Sequence, residues 1–218
     1  GVVGLEAEQW SITTKGQYLC TSHAQTLQPA AIEYGGDLLD RWRMLPAIVR
    51  GDQVSQDVFS SVAADPLRCS RHHMMLASYA LHDYPAVVGL LGIQPGDVVF
   101  DAAGGSGTLS QLLAERYPAA TIICGDIGTV LTLAPNVHSI EFDLFKPWPI
   151  NPSKVVLARV LHDWNDEQVI VILRNACACL LPHGEVLILE MLLAENGIGG
   201  ALCDLHLLAV TGGKERRL

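Results

Sequence analysis

From residue 98 onward the chain alternates short β-branched apolar runs with helical segments, and this pattern limits its fold more than any other feature. Val98-Val99-Phe100, Thr121-Ile122-Ile123-Cys124, Val155-Val156-Leu157 and Val186-Leu187-Ile188-Leu189 are continuous apolar runs, as expected of parallel strands covered on both faces. Between the last two, Val169, Ile172, Leu173, Ala176 and Leu180 fall on one helical stripe, with Asp163 or Asn165 placed to cap it. Strands alternating with helices imply a doubly wound α/β fold.

Upstream the texture differs. From about Ala24 to Leu91, apolar residues recur at helical spacing (Leu38, Trp42, Leu45, Ile48, Val49), punctuated by Arg50-Gly51-Asp52 and Asp65-Pro66. Residues 1 to about 20 read as a short hairpin or wing, in which Trp10, Ile12 and Thr14 alternate and Thr13-Thr14-Lys15-Gly16 closes the element. The turn-rich Gly92-Ile93-Gln94-Pro95-Gly96-Asp97 then separates a mainly helical appendage at 1–90 from an α/β domain at 91–218. With 218 residues, half of them apolar, the chain is large enough for a sizeable core. A net charge of −9 and the absence of any Lys or Arg run argue against nucleic acid and for a small molecule as partner. No apolar stretch is long enough to span a bilayer, and the N-terminus lacks a basic region followed by an apolar core. The six cysteines are scattered without a CxxC pair, which predicts buried free thiols in a reducing cytoplasm.

The first apolar run ends in Asp101-Ala102-Ala103-Gly104-Gly105-Ser106-Gly107-Thr108-Leu109, and a helix follows at once. Gly104, Gly105 and Gly107 allow the backbone to approach a ligand at the helix N-terminus, where a Cβ would stand in the way. Asp126, 22 residues after Gly104 and just past the second strand, is placed to accept both hydroxyls of a ribose. Dinucleotide-binding enzymes share these two features. Asp101 separates the readings, because an acid beside the loop repels a pyrophosphate and suits a cationic sulfonium with its α-amino group. The alternative for Asp101 is a carboxylate that merely caps the following turn.

The segment Leu157 to Glu167 begins at the C-terminal end of the third strand, the edge on which open α/β sheets bind ligands. That position distinguishes His162 from His23, His72, His73, His82, His138, His183 and His206, which read as structural. Methyl transfer from a sulfonium is an in-line displacement that needs alignment and removal of the hydroxyl proton. A histidine with a pKa near about 6.5 suits that task for a phenol with a pKa near about 10. Such a base needs a carboxylate to hold its tautomer. Glu190, at the end of the last strand, fits on topology; Glu215 in Gly212-Gly213-Lys214-Glu215-Arg216 is the second candidate, by default a surface charge.

Taken together, Asp101 to Gly107, Glu141-Phe142-Asp143-Leu144-Phe145, Ala158-Arg159-Val160-Leu161-His162-Asp163-Trp164, Leu189-Glu190 and Gly212 to Arg216 resemble the small-molecule O-methyltransferases. That family includes the caffeate and hydroxyindole O-methyltransferases and bacterial antibiotic-pathway relatives. The resemblance runs from about residue 55 to the C-terminus, and more loosely to residue 1. It implies a class I methyltransferase Rossmann-like sheet, S-adenosyl-L-methionine as cofactor, and a small aromatic acceptor bearing the hydroxyl. It implies His162 as general base, flanked by Glu190 and Glu215. It places Gly104, Gly105 and Gly107 at the cofactor, Asp126 at its ribose, Asp143 with Leu144 and Phe145 at its adenine, and Arg159 beside it. Counted back from Asp101, the resemblance also implies Tyr79 at the cofactor and Met75 on the acceptor ring, with ordinary helix core as the alternative for Met74 and Met75. Asp163 and Trp164, of the His162 motif, are expected at the acceptor.

The first 20 residues resemble the wing of a winged-helix region, which implies a homodimer rather than DNA binding. No metal is implied, and no acidic cluster that would hold one is visible in the sequence. Three features depart from the family pattern. Ala103 replaces a usual glycine, and between Asp126 and Asp143 there is room only for a short helix from Gly128 to Ala134. The chain also starts inside the appendage and stops just after Glu215, leaving the 186–189 strand as an exposed apolar edge, so it reads as a fragment or a module of something larger. A nicotinamide-dependent oxidoreductase using the same loop, and a non-catalytic scaffold dimerising through residues 1–90, stay open as alternatives.

Overall fold

In the computed structural model, which describes residues 1–52, 58–127, 136–193 and 198–217, the chain begins with an antiparallel hairpin. Its strands are β1 (Val3–Glu6) and β2 (Gln9–Ile12). The hairpin closes at Ala7 and Glu8, both at positive φ (48° and 65°), a turn whose twist matches the flanking strands. The expectation that Thr13 to Gly16 close it is therefore corrected. The Thr13 hydroxyl instead accepts the Gly16 N–H and caps a short helix, α1 (Thr14–Gln17).

The appendage continues through α2 (Gln28–Gly35), α3 (Asp37–Arg50), α4 (Val58–Ala63) and α5 (Pro66–Asp83). Gly51, left-handed at φ 78°, ends α3, and Asp65 caps α5 by accepting from the N–H groups of Leu67 and Arg68 ahead of Pro66 at the first turn. Of the apolar stripe on α3, Leu38 is buried while Val49 faces solvent.

The α/β part is built from β3 (Val98–Ala102), α6 (Thr108–Arg116), β4 (Thr121–Asp126), β5 (Val137–Glu141), β6 (Lys154–Ala158), α7 (Asp166–Cys179), β7 (Glu185–Leu189) and α8 (Ile198–Val210). All five strands are parallel, in the order β5-β4-β3-β6-β7. Side chains alternate between faces. Val99, Ile122 and Val156 pack with Leu109 and Leu113 of α6, whereas Phe100, Val155 and Leu157 pack with Ile172 and Ala176 of α7. Phe100, Phe142 and Trp148 meet edge to face with centroids 5.0 to 5.6 Å apart. Asn165 caps α7 in a reciprocal capping box with Gln168, as one of the two cap candidates predicted.

One strand escaped the sequence reading. β5 carries His138, Ser139 and Glu141 between Val137 and Ile140, and an edge strand with one covered side shows no apolar run. The short helix expected at 128–134 lies outside the described residues. Among the described residues β7 is the opposite edge, with Ile188 half-exposed. A third apolar cluster joins Leu38, Val58, Val62 and Met75 of the appendage to Ala209 and Val210 of α8. No helix among the described residues is long and apolar enough to cross a membrane.

Strand order fixes where a ligand can sit. The chain runs outward from β3 to β4 and β5, then returns to the other side for β6 and β7. The loops after β3 and β6 therefore border the switch-point crevice.

Candidate active site

The loop after β3 turns through three left-handed residues, Ala103 (φ 59°), Gly105 (56°) and Gly107 (73°). Glycine adopts this conformation freely, whereas Ala103 carries a Cβ into it at a cost of about 1–2 kcal/mol. A Cβ on Gly104 would stand 2.6 Å from Cys124 Sγ and 2.8 Å from Asp101 Oδ2, so internal packing, not ligand approach, requires glycine there. At Gly105 the nearest atom would be Leu76 of α5 at 3.8 Å, so that side of the loop is open. Asp126 Oδ2 accepts the Gly105 N–H at 2.8 Å and ties the end of β4 to the loop.

Asp101 differs from its expected role. It is 1% exposed, lies beneath Gly104 and accepts a 2.7 Å hydrogen bond from the Ser110 hydroxyl of α6. Burial pushes its pKa up to about 6, partly offset by Ser110. It remains largely ionised at neutral pH, with its carboxylate packed beneath the loop backbone at Gly104. This corrects the picture of a carboxylate facing the ligand.

After β6 the backbone bends at Arg159 (φ 58°) into a single 3-10 turn, Leu161–Asp163, which carries His162. His162 is 7% exposed. Its Nδ1 stands 2.9 Å from Glu190 Oε2 and 3.9 Å from Glu215 Oε2, and its Nε2 3.6 Å from Asp163 Oδ2. The Glu190 contact is an ion contact off the ring N–H direction, so both atoms retain unused hydrogen-bonding capacity. Glu190 Oε1 accepts the N–H groups of Val160 (3.0 Å) and Leu161 (2.8 Å), so the same carboxylate shapes the turn and faces the imidazole.

Burial alone would lower the His162 pKa, but Asp163 and Glu190 outweigh it and hold it up at about 9. The expectation of a base near its ordinary value is corrected: the carboxylates around His162 favour its cationic form. Burial likewise opposes the Glu190 charge, yet His162, Arg159 and the Leu161 N–H keep its carboxyl below the usual range.

Glu215 is buried and not a surface charge, 4% exposed. Arg159 Nη2 donates to its Oε1 at 3.1 Å, and Arg159 Nη1 lies 3.7 Å from Glu190 Oε2. The sequence showed no acidic cluster, but the fold builds one: ligating atoms of His162, Glu190 and Glu215 lie within 4.8 Å of one another. Arg159 supplies a compensating positive charge there.

Residues that sequence reading left unassigned hold this cluster together. Lys214 N–H donates to the His162 carbonyl at 2.8 Å. A Cβ on Gly213 would fall 1.9 Å from that carbonyl oxygen. Arg216 donates to the carbonyls of Leu161 (2.6 Å) and Trp164 (2.9 Å), and Asp204 of α8 accepts the Glu215 N–H at 2.8 Å. Gly213 and Arg216 were visible as part of a motif; Asp204 carried no signal.

The remaining predicted residues divide. Asp143 accepts the Phe145 N–H at 2.9 Å, which holds its carboxyl below the usual range, and Phe145 meets Trp164 edge to face at 4.9 Å. Trp164 also stacks on Phe59 at 5.7 Å. Leu144 is corrected: its side chain is 4% exposed in the core beneath β3 and β6, leaving only backbone for a ligand. Met75 is 4% exposed within the appendage cluster, while Met74 faces solvent. Tyr79 is partly buried against that same cluster and hydrogen-bonds Tyr34, and Leu76 is the α5 side chain that borders Gly105.

Residues 58–218 match the family described as an O-methyltransferase domain. The chain is 32% identical over 148 residues to acetylserotonin O-methyltransferase of Mus musculus molossinus, covering 60% of this chain and 38% of that protein. It is 26% identical over 225 residues to a phenazine O-methyltransferase of Lysobacter antibioticus, covering 95% and 66%. The crystal structure of human N-acetylserotonin methyltransferase in complex with SAM shares the fold, with a TM-score of 0.90 at 22% identity over 99% of this chain and 70% of that one. The chain thus spans about 38% to 66% of the length of these two curated relatives. Neither the oxidoreductase nor the scaffold alternative finds support among them. With the family matched over well over half its length, and the motif histidine at the switch-point crevice, this chain belongs to the O-methyltransferase family.

Proposed function

We propose that the chain methylates a hydroxyl of a small aromatic acceptor, with S-adenosylmethionine as methyl donor and His162 as general base. The observation that carries this reading is the buried imidazole between Glu190 and Asp163, on the strand end adjacent to the glycine loop. Bound at that loop, the cofactor supplies an electrophilic methyl group on a sulfonium. Four groups in the cluster, Arg159 Nη1, His162 Nδ1, Glu190 Oε2 and Glu215 Oε2, are buried without a hydrogen-bond partner among the described residues. Three carboxylates against one guanidinium leave the site negative when His162 is neutral, which fits a cationic ligand.

The chain's own residues divide the work. Gly105, Gly107 and Asp126 hold the cofactor's amino-acid and ribose portions, with Asp143 and Phe145 at the adenine edge. Asp101 and Arg159 set the local field. With Nδ1 facing Glu190, Nε2 takes the acceptor's hydroxyl proton, which leaves the oxygen's electron pair free to displace the methyl group from the sulfonium that the cofactor would supply, and Glu190 and Glu215 stabilise the resulting imidazolium. His162 must first be neutral, and a positive neighbour lowers its pKa toward that state. Asp163 and Trp164 border the acceptor, supported by the Phe59–Trp164–Phe145 aromatic group.

We further read residues 1–90 as a partial winged-helix and dimerisation region, and 91–218 as the cofactor-binding domain. The exposed Trp10 and Ile12 on the hairpin support a homodimer. A cytoplasmic location is supported by six free cysteines. The test is His162→Ala, assayed with a verified acceptor. Turnover is expected to fall by roughly 100- to 10,000-fold, with cofactor affinity by calorimetry nearly unchanged. An unaltered rate would refute the assignment.

A further inference from the structure

Each of the two glutamates beside His162 has one carboxylate oxygen tied down and the other left over. Glu190 Oε1 accepts the N–H groups of Val160 and Leu161, and Glu215 Oε1 accepts from Arg159 Nη2. Their Oε2 atoms both face His162 Nδ1, at 2.9 Å and 3.9 Å. All three of these atoms are buried, and none has a hydrogen-bond partner among the described residues. The Glu215 side chain is fully buried and that of His162 is 9% exposed. A proton on Nδ1 can serve only one of the two carboxylates. A metal cation can accept electron pairs from all three atoms at once.

The separations suit one. Zinc lies about 2.0–2.2 Å from nitrogen and carboxylate ligands, which in a tetrahedron sets those ligands about 3.4 Å apart. The observed 2.9 Å and 3.9 Å fall on either side of that value, and ligating atoms of the three residues lie within 4.8 Å of one another. Outer partners are already in place: backbone N–H groups orient Glu190, Arg159 orients Glu215, and Asp204 holds the Glu215 backbone. Asp163, Glu190 and Glu215 against the Arg159 guanidinium leave two negative charges in excess when the imidazole is neutral, which matches a divalent ion.

We propose that His162 Nδ1, Glu190 Oε2 and Glu215 Oε2 form an inhibitory site for a divalent transition cation of the zinc type, which turns the base off when it binds. Ligation uses the Nδ1 lone pair and releases any proton there to solvent, so the ring's remaining proton sits on Nε2. Nε2 is then a donor, without a lone pair to take a hydroxyl proton. Zinc and cobalt accept mixed nitrogen and oxygen ligands, whereas magnesium demands an oxygen-rich octahedron and keeps its waters. The loss of turnover rests on the proposed role of His162 as base; the binding does not.

Calorimetric titration of the full chain with zinc chloride is expected to show a 1:1 site, and magnesium chloride none. Cobalt chloride should produce the visible absorption of a four-coordinate ion, three protein ligands and a water. Glu215→Gln is expected to weaken zinc by more than about 10-fold, because losing a ligand costs at least as much as losing a ligand's support. Glu190→Gln keeps an oxygen for the N–H groups of Val160 and Leu161 and turns its amide nitrogen toward Nδ1, so it should do the same, and it carries the test if Glu215→Gln does not fold. With a verified acceptor, saturating zinc should stop methyl transfer and EDTA should restore it. Zinc affinity unchanged in the folded variants would place the ion on surface histidines and overturn the proposal. Turnover undiminished with zinc bound at the cluster would overturn it as well. A zinc site lost in the variants, in a chain that methylates no phenol even with EDTA present, would sustain the cation site and count against the methyl-transfer reading instead.

Discussion

Replacing Glu190 by Gln tests the electrostatics at the centre of the site. The substitution keeps the side chain's shape and its acceptor oxygen for the N–H groups of Val160 and Leu161, but removes the negative charge 2.9 Å from His162 Nδ1. In the unaltered chain the imidazole titrates at about 9, raised from an ordinary value of 6.5 by Asp163 and Glu190 against the effect of burial. That rise corresponds to about 3 kcal/mol of preferential stabilisation of the cation in the folded state. A carboxylate this close is worth about 1–3 pKa units, so Glu190→Gln should bring the midpoint to between about 6 and 8. The His162 Cε1–H resonance, assigned by its disappearance in His162→Ala, reports the titration directly. Because the folded pKa is raised, the stabilisation is fully present below about 6.5 and is lost as pH rises through about 9. Denaturant midpoints of the two proteins should therefore differ most at low pH, above the titration of Glu190 itself, and converge above about 9. A midpoint unmoved by the substitution, or an unaltered chain that titrates near 6.5, would refute this account of the site.

Two further outcomes are expected. Ala103→Gly removes a Cβ from the left-handed region and should stabilise the fold by about 1 kcal/mol, or roughly 2–4 °C in Tm for a chain of this size, read by thermal melting; a lower Tm would show that the Cβ makes a compensating contact. Gly213→Ala would place a Cβ 1.9 Å from the His162 carbonyl oxygen, displacing the turn that carries the base. It should lower kcat by roughly 100-fold, the effect of about 1 Å of misplacement, while cofactor affinity is kept, and kcat unchanged in steady-state assays would show that the 212–216 segment does not position His162.

Legibility divided along the chain according to the range of the forces involved. The apolar runs at 98–100, 121–124, 155–157 and 186–189 all became strands because a doubly covered parallel strand imposes its composition locally. The Asn165 cap and the glycine loop were equally local, each set by backbone geometry over a few residues. β5 was hidden because one side of an edge strand tolerates polar residues, and the hairpin turn at Ala7 and Glu8 because neither residue type announces positive φ.

Within the site, position was readable and environment was not. That His162 lies at the binding edge followed from its place after an apolar run. That its cationic form is favoured did not, because the cause lies partly in Glu190, 28 residues further on and brought alongside by the pairing of β6 with β7. Asp101 and Glu215 both had to be folded before their burial could be known, and Met75 and Leu144 before their side chains could be assigned to the core. Sequence by itself determined the alternation, the glycine loop and the order of chemical groups along the chain, since these depend on neighbours a few bonds away. Tertiary structure alone decided which charges face one another and how much water reaches them, because Coulomb interactions and desolvation depend on distances in space.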